Sequence, residues 1–451
     1  MSSSALPSRV DVLIAGGGPA GATAAIALAR AGVDVLLVER ARFPRFHVGE
    51  SLLPRQMRVI EDLGLAERLP GLVRQRKVGA EFAFGHAEES LRFRFTEGLV
   101  DAERETFNVE RAAFDAFLLD EARRAGAAVA EEAAVRELLR LDDGGVAARI
   151  DGAGGGGEVA ARLLLDASGQ STLVGKHLGT RQVVPGHRKV AYFGHFRGVE
   201  RLPGEEEGHP CVVMMADGWF WLIAIDPERT SIGLVMDAED GRRVGRELGV
   251  APGRMLRWAI PRCPFVARRT ATAEPPASNH VAADFSYRCR PYAGPGYFLV
   301  GDAATFLDPI FSTGICLAMV GAVEAAAGAR AILGGADPEP VRAAYRGFVE
   351  AGTAPFFRLV RRFYQPAFRD LMMEGEGPLA VHRALYSILA GHVFPRPGLR
   401  LSWRLALMEL LTEVQARWPI VPRRPRVHLH RAAEPAAADG GFAAAAAEAG
   451  R

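Results

Sequence analysis

Val10-Asp-Val-Leu-Ile-Ala15, Gly16-Gly-Gly-Pro-Ala-Gly21, Ala22 to Ala31 and Val33 to Val38 with Glu39 at its end form one readable unit. The first run is apolar and of strand length. The glycine turn follows at once, then a helix of Ala, Ile and Leu that Gly32 stops. A second apolar strand closes the unit on an acidic residue. Strand, glycine turn, helix, strand and acid in this order predict a dinucleotide site. Gly16 allows the tight turn. Gly18 lets the backbone approach a pyrophosphate, and Gly21 lets helix and strand pack closely. The pyrophosphate would sit on the positive helix N-terminus. Glu39 would accept hydrogen bonds from the adenosine ribose, which favours a free 2′-hydroxyl over a 2′-phosphate.

The chain has 451 residues, more than one typical domain. Its apolar content of 49% supports a large core, and its net charge of +2 gives no electrostatic case for nucleic acid or an anionic membrane. Cys211, Cys263, Cys289 and Cys316 are scattered, which argues against a zinc site or disulfide framework and fits a reducing, cytoplasmic setting. The apolar stretch Leu317 to Leu333 carries Glu324 and Arg330, so it reads as a buried helix and no membrane span is expected.

Further along, Arg55 to Leu69 reads as helical. Leu91, Phe93 and Phe95 alternate with Arg92, Arg94 and Thr96, the period of a strand with one wet face. After Arg111 an amphipathic helix places Phe114, Phe117 and Leu118 on one face, with Asp115 and Asp120 off it. Val190–Phe196, Cys211–Met215, Trp219–Ile225 and Ser231–Met236 are short runs with tight turns between them, which predicts an antiparallel sheet. Trp219, Trp221, Ile223 and Ile225 fall on one face of it. From Val341 to Trp418 helices are expected, broken at Pro355, Pro366, Pro378, Pro395 and Pro397.

The opening fingerprint, Asp166-Ala-Ser-Gly169 and Gly301-Asp302 together resemble the flavoprotein monooxygenase superfamily. A narrower resemblance is carried by Phe46-His-Val-Gly-Glu-Ser-Leu-Leu-Pro54, Lys77-Val-Gly-Ala80, Trp219-Phe-Trp-Leu-Ile223 and Asp308-Pro-Ile-Phe-Ser-Thr-Gly314. In order and over roughly residues 10 to 370, these look like the flavin-dependent halogenases, in the branch acting on phenols and carrier-tethered pyrroles. The resemblance implies FAD as cofactor, held by Gly16, Gly18, Ala20, Gly21, Glu39, Arg40, Glu50, Ser51, Arg111, Asp166, Gly169, Asp302, Pro309, Gly314 and Ile315. It implies a halide ion at Ser312, Thr313 and Gly314, a catalytic Lys77 beside the substrate, and Trp219 and Trp221 between flavin and substrate. The implied chemistry uses reduced FAD, O2 and halide on a small aromatic or heteroaromatic substrate, free or carrier-tethered. The resemblance implies a partner flavin reductase as the source of reduced FAD; with no second glycine fingerprint visible, that route and transient nicotinamide binding both stay open.

The departure is Ala224, where the family pattern has proline. It restores a backbone donor and bears on the halogenating step, not on FAD binding. A hydroxylating monooxygenase of the same fold is therefore the alternative, followed by an oxygen-independent FAD reductase. The expected fold is α/β: a Rossmann-like FAD domain of glutathione-reductase type (8–50, 105–182, 284–335), a substrate domain with an antiparallel sheet (51–104, 183–283), a helical region (336–431) and a disordered Ala/Gly tail (432–451).

Overall fold

A computed structural model describes residues 6–430 except 70, 72–74, 89, 153–154, 277–278 and 307, and for 284 and 285 the backbone alone. The tail 432–451 lies outside the described residues. The apolar runs of the opening unit become Arg9–Ala15 and Val35–Glu39, paired parallel and buried. Gly157–Asp166 adds to the other side of Arg9–Ala15, and Tyr297–Leu299 and Ala128–Glu131 extend the parallel sheet outward. Strands buried on both faces need no alternation, so the Val/Leu/Ile runs suffice to specify them. Helix Pro19–Ala29 packs against helices Arg111–Arg124 and Thr313–Leu333 over this sheet. The last of these is long and apolar enough to cross a bilayer, but its Ala, Ile and Met side chains are buried in the core of this sheet.

The second sheet has seven strands among the described residues, in the order His280–Phe285, Lys189–Arg197, Arg229–Asp237, Gly218–Ala224, Cys211–Met214, Gly79–Phe84 and Ser90–Arg94. It is antiparallel except where Cys211–Met214 runs parallel to Gly79–Phe84, a pairing between segments far apart in sequence. Alternation divides its faces. Phe220 and Leu222 pack with Leu256 and Phe265 on one side. Trp219, Trp221 and Ile223 face the C-terminal helices through Phe356, Phe363 and Leu385 on the other.

Several local expectations are corrected. Leu52 to Leu69 pack in the core of the parallel sheet, not with the second sheet, and the helix there spans only Arg55–Asp62. Ile225 lies beyond the end of its strand and outside the Trp219/Trp221 face. Pro355 does not break its helix, which runs Pro338–Phe363. Burial of Phe356, Phe357 and Leu359 beside it offsets the ~3 kcal/mol an interior proline costs. Asp115 is fully buried, because it holds the buried guanidinium of Arg111.

Candidate functional site

A single cavity of about 1360 Å³ runs from the opening glycine turn to the aromatic face of the second sheet. Its dinucleotide end is built from backbone. Gly16 has φ +109°, and a Cβ there would lie 2.3 Å from Ala167 O, so only glycine fits. Gly18 caps helix Pro19–Ala29 in extended conformation without a side-chain cap, which leaves the first N–H groups of the helix to a ligand. Glu39 accepts from Gly17 N at 2.7 Å and Ala41 N at 2.8 Å, and its carboxylate also lines the cavity.

Deeper in, Arg111 makes a bidentate pair with Asp115 at 2.9 Å for each bond and donates to Val48 O at 2.6 Å. The guanidinium is thereby fixed against the cavity beside Asp302. Burial pushes the Asp302 carboxyl up to about 7, with Arg111 opposing that shift. His47, which contacts Arg111 at 3.3 Å, is pushed down to about 4 by burial and then by that cation. Arg111, already paired with Asp115, and Asp302 both line this stretch of the cavity and present polar atoms to it.

The far wall is the turn Asp308 to Gly314. Asp308 accepts from Ile310 N at 3.1 Å and fixes the turn. Ser312 then adopts φ +55°, a strained value for a non-glycine residue, and helix Thr313–Leu333 begins there without a side-chain cap. Its open N–H groups sit where Ser312, Thr313, Gly314 and Ile315 meet the cavity. Tyr364 ties this turn to the sheet. Its hydroxyl donates to Asp308 and accepts from Trp219 Nε1 at 3.1 Å. Trp221 Nε1 donates to Ser231 Oγ at 3.1 Å, and the two indoles lie 5.9 Å apart.

Lys77 is only 2% exposed. Its ammonium donates to Ser51 Oγ at 2.9 Å and Leu52 O at 2.7 Å. Neither partner is charged, and burial pushes the amine down to about 7. The adjacent His209 is pushed down to about 4 by burial and then by Lys77, and among the described residues no carboxylate pairs with this lysine. Phe82, Phe93, Phe193 and the indoles of Trp219 and Trp221 surround the same end of the cavity.

The cavity gathers most of the residues singled out from sequence: Gly16, Gly18, Ala20, Glu39, Arg40, Glu50, Ser51, Lys77, Arg111, Gly169, Trp219, Trp221, Asp302, Pro309, Ser312, Thr313, Gly314 and Ile315. Two fall outside it. Gly21 faces the turn, where a Cβ would lie 1.9 Å from Gly16 O, so it serves packing rather than contact. Asp166 is fully buried and accepts from Ser168 N at 3.0 Å and Val174 N at 2.8 Å, holding the strand-end turn rather than a ligand. Ala224 pairs with Thr230 at the end of its strand and does not reach the cavity wall. Sequence reasoning missed Tyr364, and also Gly233, whose missing side chain makes room for the Trp221 ring across the strand pair. Both act through partners at least ten residues away, with no local signature.

A family model for the FAD binding domain matches residues 9–234. The chain is 36% identical over 340 residues to the tryptophan 2-halogenase of Chondromyces crocatus, which covers 73% of this chain and 63% of that protein's length. It is 31% identical over 369 residues to the 1H-pyrrole-2-carbonyl-[peptidyl-carrier protein] brominase of Pseudoalteromonas luteoviolacea, covering 81% and 88%. The solved flavin-dependent brominase Bmp2 superposes with a TM-score of 0.80 at 29% identity, covering 91% of this chain and 99% of that one.

Proposed function

The chain belongs to the flavin-dependent halogenases, with FAD as cofactor, and we propose on that premise that it halogenates an aromatic or heteroaromatic substrate, free or carrier-tethered. The single observation that carries the reading is the one cavity joining a dinucleotide turn to a buried, unneutralised lysine behind an aromatic wall. Bound and reduced, FAD supplies with O2 the two-electron oxidation of halide to hypohalous acid, with water as the other product. A partner flavin reductase supplies the reduced form. The chain's own residues do the rest. The open N–H groups at Thr313 and Gly314, beside Ser312, whose own N–H is held by Pro309 O, bind halide without a competing cation. Trp219 and Trp221 keep the substrate off the flavin face. Lys77, released from its proton near neutrality, receives the oxidised halogen and presents it to the ring. The four cysteines are free and buried, in keeping with a reducing compartment.

The test is aerobic turnover with reduced FAD, with and without bromide, on phenols, pyrroles and indoles, read by mass spectrometry. Bromide-dependent gain of Br supports the reading. Gain of oxygen alone replaces it with the hydroxylase.

Asp302 is proposed to accept hydrogen bonds from the flavin's ribityl hydroxyls. Asp302→Ala should weaken FAD binding by ~1–3 kcal/mol, the cost of a buried donor left unpaired. A variant that purifies with full yellow occupancy would count against this placement. Tyr364→Phe should remove the donor to Asp308 Oδ2, leaving only its bond from Ile310 N, and leave the Trp219 indole N–H without its acceptor. The expected result is a halide KM raised about tenfold, ~1.4 kcal/mol, at nearly unchanged FAD affinity. An unchanged halide KM would detach Tyr364 from the halide turn.

A further inference from the structure

We propose that Asp217, His428 and His430 form a site for a divalent transition cation of the Zn2+ class, which fastens the chain's carboxyl-terminal strap to the hairpin turn that feeds Trp219. The three residues lie outside the cavity and take no part in the chemistry above. One ligand atom from each lies within 4.8 Å of the other two.

The local sequence explains the grouping. Val427 and His428 lie in an irregular segment and Leu429 and His430 form a turn, which folds the two imidazoles to within 5.8 Å of each other while Leu429 is buried. Leu429 is fully buried in the core of the second sheet, which fixes the register of the strap. Two backbone contacts hold it against the turn: Ala216 N donates to Val427 O at 2.9 Å, and Leu429 N donates to Asp217 Oδ2 at 2.9 Å. His430 Nδ1 lies 2.8 Å from the same oxygen, and the His428 and His430 rings are 5.8 Å apart.

A second observation points to a ligand. The Asp217 side chain is only 5% exposed, and its other oxygen, Oδ1, is buried without a hydrogen-bond partner. A buried carboxylate oxygen with no donor is costly unless something positive meets it. Of the arginines on the same segment, Arg424 pairs with Glu374 and Arg426 Nη2 with Asp370, and neither makes an ion pair with Asp217 among the described residues.

Two imidazole nitrogens and one carboxylate oxygen are a borderline donor set. It suits Zn2+ over the hard cations Ca2+ and Mg2+, with water in the fourth position. Tetrahedral zinc at ~2.0–2.2 Å from each ligand needs donors ~3.3 Å apart. His430, 31% exposed in its side chain, has the freedom to close that gap. Asp217 immediately precedes the strand Gly218–Ala224, so the cation would pin the strap and the start of the Trp219/Trp221 strand together.

The test uses tag-free, FAD-loaded full chain, stripped with a chelator and titrated with ZnCl2 against a chromophoric chelator. One zinc per chain should bind at micromolar free zinc or below, and zinc should raise the melting temperature. His428→Ala and His430→Ala, both at solvent-reached side chains, should each weaken zinc binding at least tenfold and abolish the thermal shift. Their FAD absorbance and metal-free melting should match the parent, which separates loss of the site from loss of the fold. Asp217→Asn should do the same to zinc affinity. Absence of binding up to millimolar zinc would overturn the proposal. So would unchanged affinity in the two histidine variants, or preference for Ca2+ or Mg2+.

Discussion

Replacing Lys77 with methionine is expected to abolish halogenated product while reduced FAD and O2 are still consumed. The loss should be at least ~10²–10⁴-fold, the range for removal of a positioned reacting group. Methionine keeps the length and apolar stem of the side chain, so the aromatic wall should stay packed. Lys77 stands at the end of the cavity with Trp219 and Trp221, on a strand pair remote from the Ser312 turn in sequence. Its loss should therefore spare the flavin and oxygen step. The same residue predicts a pH dependence. Folding lowers its pKa from 10.5 to about 7, so the folded chain sheds this proton first. Between those values the unfolded chain binds more protons, and stability rises with pH. Lys77→Met should remove that slope. Product formation should rise with pH through about 7 as the free amine becomes available. Stopped-flow oxygen consumption with product analysis across pH checks the loss of product and its pH dependence, and denaturant unfolding across pH checks the slope. Full product from Lys77→Met would end the lysine's role, and a blocked oxygen step would show it to be misplaced.

Asp115→Ala should destabilise the protein by ~3–5 kcal/mol and strip it of FAD. The reason is the charge left behind. Asp115 is fully buried, and Arg111 is 6% exposed on its side chain. Arg45 also reaches Asp115, at 3.3 Å. Removing the carboxylate leaves the Arg111 guanidinium buried and unpaired, which costs far more than the pair itself contributes. The double variant Arg111→Met/Asp115→Ala should recover most of the stability but not the cofactor. Thermal melts and flavin absorbance of both variants decide it. Equal destabilisation in single and double variants would mean that packing, not stranded charge, sets the loss.

The reach of the sequence differs between these two regions. The strand, glycine turn, helix and acid of residues 10–39 were legible because their signals are local. Periodicity sets the elements, and Gly16 is required by a turn made within a few residues. The face shared by Trp219, Trp221 and Ile223 followed from alternation alone, and Ile225 left it because it lies beyond the strand's end. Resemblance in motif order then carried the family, the cofactor and the candidate lysine. It could not say that Asp166 turns inward to cap a turn or that Gly21 only packs, because both depend on which way a side chain points after folding. Nor could it show Asp115 as buried. A carboxylate one position off a helix's apolar stripe reads as solvated until a guanidinium on the same helix is known to be buried with it. The sequence by itself determined the order of elements, the dinucleotide turn and the aromatic face, since each is written in short-range pattern. Only the tertiary structure decided that Lys77 is buried without a carboxylate partner among the described residues, that Tyr364 bridges Trp219 to Asp308, and that the strap's histidines meet Asp217. Those pairings join residues dozens to hundreds of positions apart, and only the packed chain brings them within bonding distance.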